Sequence, residues 1–111
     1  MSNPKNLVRI SPGDTKFIRL KGMVWGTTEQ DIRGFLVGVN IEKVIFTRNS
    51  NGSETGEAFL RLHSSDDAKE AKRKNRQRME SRPQRYIVIE EITKRQFLLV
   101  ELATMETRTT K

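Results

Sequence analysis

The chain has 111 residues, a formal net charge of +7 and a pI near 10.1, with 34 % apolar and 32 % charged residues. That length has room for one domain, and the basic excess points to a polyanionic partner, nucleic acid before an anionic membrane surface, although charge kept for solubility alone fits the composition too. The absence of cysteine excludes disulfides, thiolate catalysis and the common structural zinc sites, and no apolar run approaches the roughly 20 residues of a transmembrane helix.

Residues 1–15 mix polar residues, two prolines and a glycine around Leu7, Val8 and Ile10, and are expected to form an extended N-terminal arm, partly disordered. From Lys16 to Lys21 the pattern is that of a strand, with Phe17, Arg19 and Lys21 on one face and Ile18 and Leu20 on the other, ended by Gly22. Thr27-Thr28-Glu29-Gln30 fits a capping box with Thr27 as the cap and Gln30 reaching back. Ile32, Phe35, Leu36 and Val39 then recur at helical spacing, with Gly38 and Asn40 as stop residues.

Ile41–Thr47 is β-branched and reads as the second strand, followed by a turn-rich loop over 48–56 with Asn51-Gly52 at its tip. Glu57–His63 alternates again, placing Ala58, Leu60 and Leu62 opposite Glu57, Phe59 and Arg61. A second helix starts near Ser64 or Ser65, with Asp66 and Asp67 in its first turn and a thin buried side of Ala68 and Ala71. The stretch 72–85, KRKNRQRMESRPQR, sets seven basic residues against Glu80 and so carries a net +6, almost the whole excess of the chain. Tyr86–Glu91 is the fourth strand. Thr93-Lys-Arg-Gln96 fits another cap, leading into a C-terminal helix over 92–106 with Phe97, Leu98, Val100, Leu102 and Met105, before a frayed tail at 107–111.

The order is β-α-β-β-α-β plus a C-terminal helix. This is the α+β, ferredoxin-like plan of a four-stranded antiparallel sheet with two helices on one face. The plan by itself says little about function.

Two segments narrow the choice. Ile18–Met23 and Thr55–Leu62 occupy the places of the two motifs of the RNA recognition motif, whose strands ordinarily offer aromatic rings to bases. Here Arg19 and Glu57 stand at two of those places and only Phe59 remains. FIRLKGMVW, TTEQDIRGFL, GEAFLRL and the run from Lys72 to the Arg85-Tyr86 pair together resemble the quasi-RNA recognition motifs of the heterogeneous nuclear ribonucleoprotein F/H family, over residues 16–91. The resemblance implies binding of guanine tracts in single-stranded RNA through three loops and not through the sheet face. Carried over by position, Lys21 and Trp25 match the basic residue and aromatic of the first loop, Arg76 the arginine after the second helix, and Arg85 and Tyr86 the pair at the start of the fourth strand.

The sequence departs from that family twice. Val24 stands where a proline is usual, which predicts a more mobile first loop, and Glu80–Gln84 is longer than the usual short link before the Arg-Tyr pair. The resemblance further implies a part in pre-mRNA splicing or related RNA processing and a nuclear and partly cytoplasmic location, while the short boundaries and basic character point to a fragment of a multi-domain protein.

Lys72, Arg73, Lys74, Arg78 and Arg48 are candidate phosphate contacts; a solvated charged surface is the alternative reading. Trp25 could equally lid the core at a strand-to-helix turn. Two rival functions stay open: a protein-interaction module using the C-terminal helix or helical face, and sequence-blind electrostatic RNA binding through 72–85. Catalysis is not expected. His63 is the only histidine and has no nucleophile spaced to meet it, Asp66 and Asp67 are explained by capping, and Gly22 and Gly26 lack a phosphate-loop ending. No cofactor or metal is expected.

Overall fold

In a computed structural model of the chain, residues 15–109 are described, with side chains over residues 15–104. The elements are β1 (Phe17–Lys21), α1 (Glu29–Phe35), β2 (Ile41–Arg48), β3 (Glu54–Leu62), α2 (Ser65–Lys72), β4 (Gln77–Arg78), β5 (Tyr86–Ile92) and α3 (Lys94–Thr109). The sheet runs β2-β3-β1-β5-β4 with every pairing antiparallel. The first fourteen residues lie outside the described part, as do Thr110, Lys111 and the Met105 side chain.

The alternation of β1 and β3 divides two cores. Ile18, Leu20, Ala58, Leu60 and Leu62 face α1 and α2, where Ile32, Phe35, Leu36, Ala68 and Ala71 close the main core. The small side chains Ala68 and Ala71 let α2 lie close to the strands, as their spacing predicts. The opposite sheet face carries a second, smaller cluster of Phe17, Ile45, Ile92 and Phe97, with Phe59 and Val100 packed against it. Phe97 belongs to α3, which therefore lies across the face that the ferredoxin-like plan leaves open. An ion pair between Lys43 and Glu101 also joins β2 to α3.

Besides β3, which starts at Glu54 inside the loop expected over 48–56, three expectations need correction. The cap of α1 is Thr28, not Thr27: Asp31 N donates to Thr28 Oγ1 (3.1 Å), and Thr28 N donates to Asp31 Oδ2 (2.9 Å). Asp31, with its shorter side chain, takes the place given to Gln30, while the Thr27 hydroxyl donates to the Val24 carbonyl (2.7 Å). The cap of α3 is as expected, with Thr93 and Gln96 bonded reciprocally.

The second correction concerns the sheet, which has five strands instead of four. Within the basic run, Arg76 turns the chain in the left-handed region (φ 66°), and its amide donates to Ile87 O (2.7 Å). Gln77 and Arg78 then pair with Ile87 and Tyr86. One register step further on, Asn75 Oδ1 accepts from Ile89 N (2.8 Å), so the edge of β5 is satisfied by a side chain where the strand is too short. Met79, only 1 % exposed, follows β4 into the main core.

The third is at the C-terminus, where α3 runs to Thr109, past the expected end at residue 106.

Candidate nucleic-acid interface

The antiparallel order brings the end of β1, the start of β3 and the start of β5 to one end of the sheet, and two glycines let the chain leave it there. Gly22 has φ +90°, and a Cβ on it would lie 2.7 Å from the Tyr86 carbonyl oxygen. Gly56 has φ +80°, and its Cβ would meet the Met23 carbonyl oxygen at 2.8 Å. Met23 N in turn donates to Gly56 O (3.0 Å). The loop over 22–28 thus emerges between the starts of β3 and β5 with no space for side chains at its root.

Trp25 sits on this loop and is 74 % exposed, so it does not lid the core. The backbone around it is tied down. Thr27 N and Oγ1 both donate to Val24 O, and Gly26 N donates to Glu54 Oε1 (2.9 Å). Turn bonds and a carboxylate thus engage the loop in which Val24 stands in place of proline.

Tyr86 opens β5 and is 59 % exposed, with the Arg78 guanidinium carbon 4.5 Å from its ring centroid. The pair follows from register, since Arg78 and Tyr86 are cross-strand partners. Arg76 and Arg85 are exposed beside it. Lys21 is committed in part to Glu90 (3.3 Å). Among the candidate phosphate contacts, Lys72 is exposed, Lys74 is half-buried, Arg73 pairs with Glu70 (3.3 Å), and Arg48 Nη1 donates to Gly52 O (3.0 Å) across the β2–β3 turn.

The residue that sequence reasoning missed is Arg82. It lies in the long link before β5, and its side chain crosses to the first loop. Nε donates to Asp31 Oδ2 (3.1 Å) and Nη2 donates to Gly26 O (2.9 Å). Asp31 also accepts from Thr28 and Ser81, and these hydrogen bonds, the Thr28 amide foremost, hold its carboxyl well below the usual carboxylate range. The acceptor of Arg82 is therefore charged at any pH near neutrality. No spacing rule links residues 51 positions apart, so nothing in the sequence could have signalled the contact.

The RRM domain family model matches residues 18–109. The chain belongs to the RRM domain family. It is 35 % identical over 81 residues to heterogeneous nuclear ribonucleoprotein F from Bos taurus, a match covering 69 % of this chain and 19 % of that protein, so the chain spans about a fifth of the curated relative's length. The crystal structure of the Glorund qRRM2 domain superposes with a TM-score of 0.66 at 31 % identity, covering 72 % of this chain and 91 % of that one. G-rich RNA sequence binding factor 1 from Homo sapiens gives 0.68 at 25 % identity, covering 88 % and 98 %. The chain is thus an RRM domain of the quasi-RRM type, a non-catalytic, RNA-binding class. Among the described residues no helix is long and apolar enough to cross a membrane.

In this RRM domain two features occupy the sheet face. Arg19 lies between Glu57 (3.0 Å) and Glu90 (3.6 Å), and Lys21 meets the same Glu90, giving a charge ladder across three strands. Phe59, the one aromatic left at a base-stacking place, packs on the Phe97 cluster beneath α3, with the Arg19 guanidinium carbon 5.7 Å from its ring. The C-terminal helix packs on this cluster through Phe97, while Leu98 is exposed. At the loop end Trp25 and Tyr86 are exposed to solvent, with exposed arginines around them.

Proposed function

We propose that this domain binds short single-stranded, guanine-rich RNA through its loops, in pre-mRNA splicing or a related step of RNA processing, and that it works in the nucleus and in part in the cytoplasm. The observation that carries the reading is Trp25, an exposed indole on a loop fixed on both sides, at the same sheet end as Tyr86. A guanine has a flat face for an aromatic ring and an O6/N7 acceptor pair suited to arginine or lysine. In this reading Trp25 and the Tyr86 face opposite Arg78 stack bases, Arg76, Arg85 and Lys21 donate to base edges or phosphates, and Lys72, Arg73, Lys74, Arg78 and Arg48 supply the surrounding positive field. The neutralised sheet face supports the same assignment, as does the similarity to a factor named for G-rich RNA.

A second reading has one observation behind it. Leu98, Leu99 and Leu102 are exposed on α3, an apolar surface that a protein partner could cover.

Fluorescence anisotropy with guanine-tract and uridine-tract RNA at two salt concentrations tests the RNA reading. Trp25→Ala and Tyr86→Ala are each expected to weaken guanine-tract binding by about 1–3 kcal/mol. A purely electrostatic binder would bind both RNAs alike, with a salt slope of about −0.7 per phosphate contacted, and would be indifferent to either substitution. Retention of guanine-tract affinity in both variants would leave α3 as the better candidate surface.

A further inference from the structure

Arg82 bridges the two halves of the loop end. Its donors reach a carboxylate at the start of α1 and a backbone carbonyl next to Trp25, while the chain that carries it leads three residues later into Arg85 and Tyr86. We propose that Arg82 is a positioning residue for the RNA site, a clamp that fixes the Trp25 loop against the segment entering β5. This inference rests on the loop-binding reading.

Each end of the clamp is anchored independently. Arg82 N donates to Met79 O (3.2 Å), and Met79 is seated in the main core. Pro83 restricts the next backbone position. At the far end, Asp31, the third residue of α1, is held in the capping box with Thr28, and Gly26 is bonded on both sides, its amide to Glu54 and its carbonyl to Arg82. The side chain of Trp25 projects into solvent, yet the residue after it is fixed to β3 and to the link before β5. An aromatic held in this way forfeits less ordering entropy when a base stacks on it.

The geometry also separates clamping from direct phosphate contact. Nε and Nη2 are already engaged, and the Asp31 carboxylate balances the charge. The positions of both acceptors call for the planar fork of arginine; a lysine ammonium keeps the charge and loses the fork.

The test uses Arg82→Ala and Arg82→Lys, alone and combined with Trp25→Ala. Each is titrated with guanine-tract and uridine-tract RNA at two salt concentrations, and amide order parameters of residues 25–28 are measured without RNA. Both single variants are expected to weaken guanine-tract binding about three- to tenfold, as the competent loop conformation becomes less populated. The salt slope stays that of the wild type, the order parameters at Trp25 and Gly26 fall, and no further loss appears in the Trp25→Ala background. Wild-type binding by Arg82→Lys, a loss that adds in full to that of Trp25→Ala, or a salt slope reduced by about 0.7 would overturn the clamp in favour of a charge contact. Unchanged order parameters in Arg82→Ala overturn it without reference to RNA. If Trp25→Ala itself binds guanine tracts normally, the loop-binding reading fails, and the RNA role of the clamp fails with it.

Discussion

Replacing Phe97 with alanine is expected to lower the unfolding free energy by about 3–5 kcal/mol, read from the shift of a chemical denaturation midpoint. Phe97 is fully buried, its ring centroid lies 4.9 Å from that of Phe17, and it is the α3 member of the small cluster on the sheet face. Truncation leaves a cavity between two layers, where Val100 packs at the margin and the Lys43–Glu101 ion pair at the surface adds little. The neighbouring Leu98→Ala is the control. Leu98 is 45 % exposed, so its loss should cost well under about 1 kcal/mol. The pair of variants also bears on function. Because the proposed site is at the loop end, Phe97→Ala should keep its preference for guanine-tract RNA under conditions where the domain remains folded. A large gain of affinity on releasing α3 would mean that the sheet face binds RNA after all.

The second large effect is expected at Gly22. An alanine there must hold a left-handed φ and also place its Cβ 2.7 Å from a backbone oxygen of β5, which no side-chain rotation can relieve. A loss of about 2–4 kcal/mol follows, combining the conformational penalty with overpacking. The obvious escape is separation of the end of β1 from Tyr86, which would pull the Trp25 loop away from β5. Gly22→Ala is therefore expected to lose guanine-tract affinity and stability together. By contrast Gly34→Ala, where an added Cβ meets nothing within 4 Å, should be neutral or mildly stabilising. Equal stability of the two variants in denaturant would show that the contact between β1 and β5 is not as described.

Much of the fold was legible because its signals are local. The alternation in β1 and β3 separates Ile18 and Leu20 from Phe17 and Arg19, and the thin alanine face of α2 and the Thr93–Gln96 cap are written in adjacent residues. The misreadings arose where two local solutions compete. Thr27 and Thr28 can each cap α1, and the choice falls to Thr28 because Asp31 closes the reciprocal bond while Thr27 bonds backwards to Val24. β4 has only two residues and shows no alternation, so it was hidden in the basic run, as was Met79. Of the candidate site, the exposure of Trp25 could not be read from type or position, since a lone tryptophan at a turn suits a core equally well. The Arg82 clamp and the Lys21–Glu90 pair join residues 51 and 69 positions apart, and only the folded sheet order brings them within reach.

Trp25 is the only tryptophan, so its emission reports on the proposed site alone. The most direct measurement is therefore a titration of the wild-type domain with unlabelled guanine-tract RNA, followed by indole fluorescence and repeated with uridine-tract RNA. Loop binding predicts a saturable quench by the guanine tract, with the same midpoint as anisotropy of labelled RNA, and little response to the uridine tract. Binding seen by anisotropy with the indole emission unchanged would contradict it.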